Sequence, residues 1–190
     1  MQKRTFDIIF SLIAIIILSP LFAIIILSML IGGCRPIIFK QERIGLHGKP
    51  FFIYKFRSMI VDAEESVPQL TEENDERLTR IGRFLRAHHL DELPQLWNVM
   101  KGDMSFIGYR PERKYFIEKI MAQDNRYERL YQMRPGVTSY ATLYNGYTDT
   151  MEKMLRRLEY DLYYLEHHSL LLDLKILYLT AMKIISGKKF

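Results

Sequence analysis

The sequence predicts a mainly helical α+β protein with an N-terminal membrane helix, one small β-hairpin and amphipathic helices at the membrane interface. Three observations predict it. From Ile8 to Cys34, 27 consecutive residues carry no ionisable side chain except that one cysteine, so all 27 Lys+Arg and 22 Asp+Glu lie elsewhere. Two short β-rich segments follow, separated by a glycine-bearing loop. Beyond Arg77, apolar residues recur mainly at helical spacing. A chain of 190 residues with 48% hydrophobic content can build a core, which excludes disorder, and its single cysteine excludes a disulfide framework and a cysteine-based zinc site. We divide it into residues 1–34, the membrane segment, and residues 35–190, one compact, membrane-associated cytoplasmic unit.

The apolar block is too long for a secretory signal, whose apolar stretch runs about 7–15 residues. As one straight helix it would measure about 40 Å against a hydrocarbon core of about 30 Å. Ser19-Pro20 sits near its middle. Proline removes a backbone donor, so a kink is expected there, and the serine hydroxyl can bond back to the freed carbonyl. Each half is about 15 Å long, half a bilayer. Lys3 and Arg4 precede the block, and Arg35, Lys40 and Arg43 follow it. Symmetric basic flanks suit a helix that dips in and returns to one face, with Asp7 pairing with Lys3 or Arg4 at the head groups. The residues alone still favour a kinked single-pass anchor, since proline is common in membrane helices.

Pro36–Gly45 and Pro50–Met59 read as strands of a hairpin looped by residues 45–49. Val61–Glu76 is acidic and reads as a short helix and loop. Arg77–Ala87 shows a helical stripe of Leu78, Ile81, Phe84 and Leu85. Asp91 is placed to cap a second helix, with Glu92 in its first turn, Leu93, Leu96, Trp97 and Met100 on its apolar stripe, and Gly102 as its stop. Trp97 is expected in the core. Gly108–Pro111 reads as a turn, Glu112–Met133 as helix, and Arg134–Thr138 as a second break. Met151–Leu165 places Met151, Met154, Leu155, Leu158, Leu162 and Leu165 on one face. Leu170–Ile185 is apolar but interrupted by Asp173, Lys175 and Lys183, which suits an interfacial helix, with a core helix the equal alternative on periodicity.

The chain lacks a phosphate-binding G-x-x-x-x-G-K-[ST] loop, a G-x-G-x-x-G element and a H-E-x-x-H zinc helix. What remains is Asp91-Glu92, two acids at a predicted helix start. An ionised Asp there can attack phosphorus, or hold Mg²⁺ by one oxygen beside substrate phosphates. The plain alternative is helix capping. Lys55, Arg57, Arg110 and Arg134 form a second set, suited to phosphate oxygens though each also reads as an ordinary surface cation. The +5 net charge fits an anionic membrane surface; no nucleic-acid motif appears, and no nucleic-acid partner is expected. The histidine pairs at 88–89 and 167–168 lack metal-ligand spacing and read as structural.

Several strings together resemble the small monotopic phosphoglycosyl transferases, bacterial sugar transferases that begin glycan assembly on a polyprenol phosphate. They are Lys3-Arg4-x-x-Asp7 with Ser19-Pro20; Gln41–Gly45; Tyr54–Met59; Thr79–Arg86; Leu90–Val99; Lys101–Ser105; Arg110-Pro111-Glu112; and Arg134–Thr138, with Asp173, Ile176 and Thr180 beyond. They occur in the family's order across most of the chain. The resemblance implies transfer of a sugar 1-phosphate from a UDP-sugar to undecaprenyl phosphate, with Mg²⁺ and release of UMP. Asp91 would be the nucleophile and touch the metal, and Glu92 would support it as a base or a hydrogen-bond partner. Arg110 and Pro111 would contact the substrate, with Lys55, Arg57 and Arg134 as further phosphate contacts. The resemblance also reverses the preference for a span: the family's segment is re-entrant and broken at Ser-Pro, which places the catalytic domain on the cytoplasmic face of the bacterial inner membrane. Its partners would be the UDP-sugar, undecaprenyl phosphate and membrane lipids, and a homo-oligomer is allowed.

Three departures stand out: Tyr109 where the family commonly has proline, Ser139 where it commonly has glycine, and His168 where tryptophan is frequent. None touches the dyad, so they bear on substrate choice more than on reaction type. The competing class is a membrane-anchored, basic, non-catalytic binding module.

Overall fold

The computed structural model describes residues 2–61, 63, 75–146 and 148–186. The helix and loop expected over Val61–Glu76 lie largely outside these residues. Helix α1 (Gln2–Ile31) carries Pro20 inside it. Helical backbone continues through Ser19-Pro20, where one proline removes one donor. The missing N–H of residue 20 would have reached the Ile16 carbonyl, and the Ser19 hydroxyl donates to that same oxygen at 2.8 Å.

Both ends of α1 fasten to one polar body. Near the start, Lys3 pairs with Asp173 at 2.7 Å and donates to Tyr164 Oη, while Arg4 donates to the carbonyls of Val99 and Met100. Asp7 is buried and accepts from Ser105 Oγ at 3.0 Å and the Phe106 N–H at 3.1 Å. The expected pairing of Asp7 with Lys3 or Arg4 is therefore corrected. A buried carboxylate needs converging donors, and the hydroxyl and amide of residues 105–106 supply them. Near the other end, Ile25 and Met29 are buried in a cluster with Phe56 and Leu85. The outward face between them stays exposed, as at Ile16 (63%) and Ile17 (69%).

Strands β1 (Ile38–Ile44) and β2 (Pro50–Phe56) form the expected antiparallel hairpin, with Gln41 opposite Ile53. Helix α2 (Arg80–Ala87) is capped by Thr79, whose hydroxyl accepts the Gly82 N–H. Gly82 lies against β2's exit so closely that a Cβ there would sit 1.8 Å from the Ser58 carbonyl oxygen. Helix α3 (Gln95–Lys101) starts four residues later than Asp91 and stops at Gly102, which adopts the left-handed φ of 99° typical of a helix C-terminus. Asn98, fully buried, ties α3 to β2: its amide donates to the Phe52 carbonyl at 2.7 Å and its oxygen accepts the Tyr54 N–H at 3.1 Å.

A second, parallel pair was not foreseen: β3 (Ser105–Ile107) with β4 (Gly136–Thr138). Three-residue strands have too few positions to show an alternation. The helix expected over Glu112–Met133 is two pieces, α4 (Lys114–Met121) and a 3₁₀ segment, Asn125–Gln132, started by the Asp124 side chain. Helices α5 (Tyr140–Tyr144), α6 (Met151–His167) and α7 (Leu170–Ile185) complete the chain. The main core packs α4, the 3₁₀ segment and α6 around Ile44 and Tyr109. Helix α7 buries Ile176 but leaves Leu170 and Leu171 exposed. Trp97, expected in the core, is 52% exposed because its neighbours Leu96 and Val99 take the inward face of α3.

Candidate active site

Asp91 and Glu92 occupy a single 3₁₀ turn, Leu90–Glu92, entered through His89 at a positive φ of 54°. Neither that turn nor α3 has a side-chain capping bond. The capping alternative is thereby removed: the acids precede the helix, and Pro94 occupies its N-cap. The turn is wedged between α2 and β2, and its position follows from the two anchors already described, Gly82 on Ser58 and Asn98 on β2.

The two acids have different surroundings. Glu92 accepts from Lys55 Nζ at 2.6 Å and from Arg110 Nη2 at 3.4 Å. Burial pushes its carboxyl up, but the charges of Lys55 and Arg110 outweigh this and hold it well below the usual range. Asp91 is only 5% exposed and forms no ion pair or hydrogen bond through its side chain among the described residues. Burial raises its carboxyl above the usual range, the Glu92 charge adds to this, and Lys55, Arg86 and His89 oppose it. A carboxylate poorly satisfied by its neighbours is a stronger base and nucleophile than a paired one. The arrangement therefore leaves Glu92 paired with two cations and Asp91 as the carboxyl of the dyad without an ion pair among the described residues.

Arg110 stands on the turn Gly108–Pro111, which is built from both sides. Gly136 donates its N–H to the Tyr109 carbonyl at 2.8 Å, and Gly108 donates to the Thr138 carbonyl at 3.1 Å. The strands approach so closely that a Cβ on Gly136 would lie 2.1 Å from the Gly108 nitrogen. Pro111 is buried behind Arg110. Tyr109, the departure from proline, is fully buried in the main core and reaches the Ile44 carbonyl at 3.5 Å.

Beneath this turn lies a charge network that sequence reasoning missed. Glu112 accepts from Arg157 at 2.6 Å and Arg43 at 3.3 Å. Burial pushes its carboxyl up, and Arg157, Arg43 and Arg110 more than reverse this, so it is held below its usual range. Asp161, one turn along α6 from Arg157, is 2% exposed and accepts the Arg110 backbone N–H, while its Oδ1 has no partner. Burial raises it to about 7 against the pull of Arg157. Between pH 4 and 7 the unfolded chain releases this proton while the folded chain keeps it. The group therefore lowers stability progressively as pH rises, and the full cost is present above 7. Asp161→Asn removes that dependence. The variant should gain about 2–3 kcal/mol on the parent between pH 5 and pH 8.5, read from chemical unfolding at the two pH values. Parallel stability curves would contradict it.

Of the other predicted contacts, the structure brings Lys55 to the dyad and places two elsewhere. Arg57 donates to the Pro36 carbonyl at 2.9 Å and lies over the Phe39 ring. Arg134 donates to the Gly102 carbonyl at 2.9 Å, fastening the loop after α3. The histidines at 88, 167 and 168 bond to backbone carbonyls of their own helical segments. Among the described residues no group of three or more His, Cys, Asp or Glu converges on one point. Mg²⁺ ordinarily takes one or two carboxylates plus substrate phosphates. With Glu92 already paired, Asp91 is the carboxylate of the dyad that could hold such a cation.

Comparison with known proteins gives the family of the chain. Residues 1–187 match the family described as bacterial sugar transferase. A UDP-glucose:undecaprenyl-phosphate glucose-1-phosphate transferase of Klebsiella pneumoniae is 42% identical over 184 residues, 95% of this chain and 39% of that protein. A UDP-N-acetylgalactosamine-undecaprenyl-phosphate N-acetylgalactosaminephosphotransferase of Aeromonas hydrophila is 37% identical over 185 residues, 97% of this chain and 44% of that protein. The uncharacterized sugar transferase EpsL of Bacillus subtilis is 38% identical over 185 residues, 96% of this chain and 87% of its own length. The chain thus spans about two fifths of the first two relatives and most of the third. A family match over nearly every residue, the dyad and the Arg110 turn included, makes this chain a member of the bacterial sugar transferase family.

Proposed function

We propose that the protein moves a sugar 1-phosphate from a UDP-sugar to undecaprenyl phosphate through a covalent intermediate on Asp91. The observation that carries this reading is the division within the dyad: Glu92 is neutralised by Lys55 and Arg110, and Asp91 is not. In the first step an Asp91 oxygen attacks the sugar-bearing phosphorus, and the bond from that phosphorus to the bridging oxygen breaks. UMP leaves with the electron pair, and an aspartyl phospho-sugar remains. In the second step a phosphate oxygen of the lipid attacks the same phosphorus, the Asp91–phosphorus bond breaks, and a sugar diphospholipid departs. Lys55 and Arg110 lie where the charge of the diphosphate develops. Glu92 is held too acidic to serve as a base, so its role is to fix those two cations. Asp91 would hold Mg²⁺, which when bound would supply further charge neutralisation.

The membrane arrangement belongs to the same proposal. A single-pass span would separate its ends by about 30 Å, on opposite faces of the bilayer. Yet Asp7 and Met29, near the two ends of α1, are both buried against one polar body. A re-entrant helix fits that attachment, as do α7 and Trp97 at the interface, with the catalytic domain on the cytoplasmic face of the inner membrane.

The test uses the full chain in lipid nanodiscs with undecaprenyl phosphate and a set of UDP-sugars, beginning with the glucose and N-acetylgalactosamine donors. UMP release that yields lipid-linked sugar is expected with at least one donor. No UMP with any of them would remove the transferase reading in favour of a non-catalytic module. Free sugar phosphate formed without lipid would instead indicate a hydrolase.

A further inference from the structure

A second cluster of cations lies apart from the dyad, where α1 ends. A cleft of about 450 Å³ opens there between residues 32–35, the exit of β2 and the start of α2. Arg35, Arg57 and Arg80 line it. None of the three pairs with a carboxylate among the described residues. Arg57 is held by the Pro36 carbonyl and the Phe39 ring, both of which leave its two terminal nitrogens free to donate. The opposite wall is apolar, with Ile60 (53% exposed), Val61 (54%) and Ile81.

Three like charges around one cleft repel each other, which an anion between them relieves. An apolar wall beside the end of a lipid-seeking helix selects an anion that carries a hydrocarbon chain. The cleft also connects to the reacting carboxylate. Arg86 donates to Ser58 Oγ at 3.1 Å and lies 4.0 Å from the sulfur of Met59, a residue of the cleft wall. The same Arg86 is one of the charges acting on Asp91. A guanidinium that acts on the dyad thus touches the wall of the cleft at the C-terminal end of α1.

We propose that this cleft is the site that receives the phosphate monoester head of the acceptor lipid, with Arg35, Arg57 and Arg80 holding its oxygens and Ile60, Val61 and Ile81 lying along its first isoprene units. This deepens the transfer reading and rests on it. A monoester carries up to two charges and three oxygens free for bidentate guanidinium contact, more than a phospholipid diester presents. The cleft would be a staging position, from which the head advances along Arg86 to the phosphorus on Asp91.

The experiment compares the parent with Arg35→Gln/Arg80→Gln and with Arg35→Lys/Arg80→Lys, in nanodiscs of uncharged lipid. The expected result is a rise of about 10- to 100-fold in KM for undecaprenyl phosphate in the glutamine variant, with the UDP-sugar KM unchanged and partial recovery in the lysine variant. An unchanged acceptor KM, or an equal rise for both substrates, overturns the proposal. Binding of a fluorescent short-chain polyprenol phosphate, measured without donor, is the second arm, and it reads the cleft even if no turnover is found. Loss of that binding in the glutamine variant supports the site. Equal displacement of the probe by phosphatidylglycerol would make the cleft a general anionic-lipid site, and equal displacement by inorganic phosphate would remove the role of the apolar wall. Either outcome overturns the acceptor assignment.

Discussion

Asp91→Asn is expected to lower kcat by about 10⁴-fold or more while making the folded protein more stable at neutral and alkaline pH. The first half follows from chemistry: a carboxamide cannot form the aspartyl phospho-sugar, and Glu92, one residue away but fixed between Lys55 and Arg110, cannot substitute for it. The second half follows from burial. A carboxyl raised above its usual range in the folded state binds its proton more tightly there than in the unfolded chain. Its ionisation therefore costs stability as pH rises through the shifted value, and an uncharged side chain of the same shape escapes that cost. Glu92→Gln should show the opposite sign. Its carboxyl is held low, so its charge adds stability above the unfolded value, and removing it leaves Lys55 and Arg110 facing each other. UMP release and thermal unfolding at pH 8, measured on both variants, give the two signs together. Full activity in Asp91→Asn would end the covalent route, and a less stable Asp91→Asn would contradict the assignment of Asp91 as the poorly satisfied member of the pair.

How much of this was legible in the sequence depends on how local each feature is. Helix α7 matches its apolar run, and α6 extends its predicted stripe by two residues, because each carries a face of helical spacing longer than three turns. The hairpin was readable from its glycine-bearing loop. The split between α4 and the 3₁₀ segment was not, for a specific reason. Ile120 and Tyr127, both buried, are seven residues apart, two helical turns, so the pattern looks continuous across the Asp124 restart. At the site, Asp91, Glu92, Lys55 and Arg110 were visible as candidates. Their division into paired and unpaired groups was not, since it depends on contacts 37 and 18 residues apart in the chain. The string Arg134–Thr138 was recognisable, but not its local contacts: Gly136 donates to the Tyr109 carbonyl and Arg134 to the Gly102 carbonyl. Lys3, Arg4 and Asp7 looked like head-group residues and are instead the pins of α1 onto α3, β3 and α7.

The least legible part of the site gives the second large effect, because Arg157 reaches the Arg110 turn from α6. Arg157 and Glu112 each keep only 8% of their side-chain surface exposed, and their contact is 2.6 Å. Removing one partner of such a pair leaves a buried charge without compensation, which typically costs about 3–5 kcal/mol, a large share of a small protein's stability. Arg157→Met, similar in length and uncharged, exposes Glu112 to that cost and also withdraws the charge that opposes the upward shift of Asp161. Arg43 remains on Glu112 at 3.3 Å, so the loss should fall toward the lower end of the range. Because Asp161 accepts the Arg110 N–H and Glu112 follows Arg110 by two residues, the same change should loosen Arg110 and raise the UDP-sugar KM several-fold. The double variant Arg157→Met/Glu112→Gln separates the two consequences. With both charges of the pair gone, part of the lost stability should return, limited by Arg43, which then faces an amide in place of its carboxylate. The KM should stay high, because nothing then draws the turn onto α6. Urea unfolding and donor KM on the single and double variants decide the matter: a single variant costing under about 1 kcal/mol would place the support of Arg110 in β4 alone.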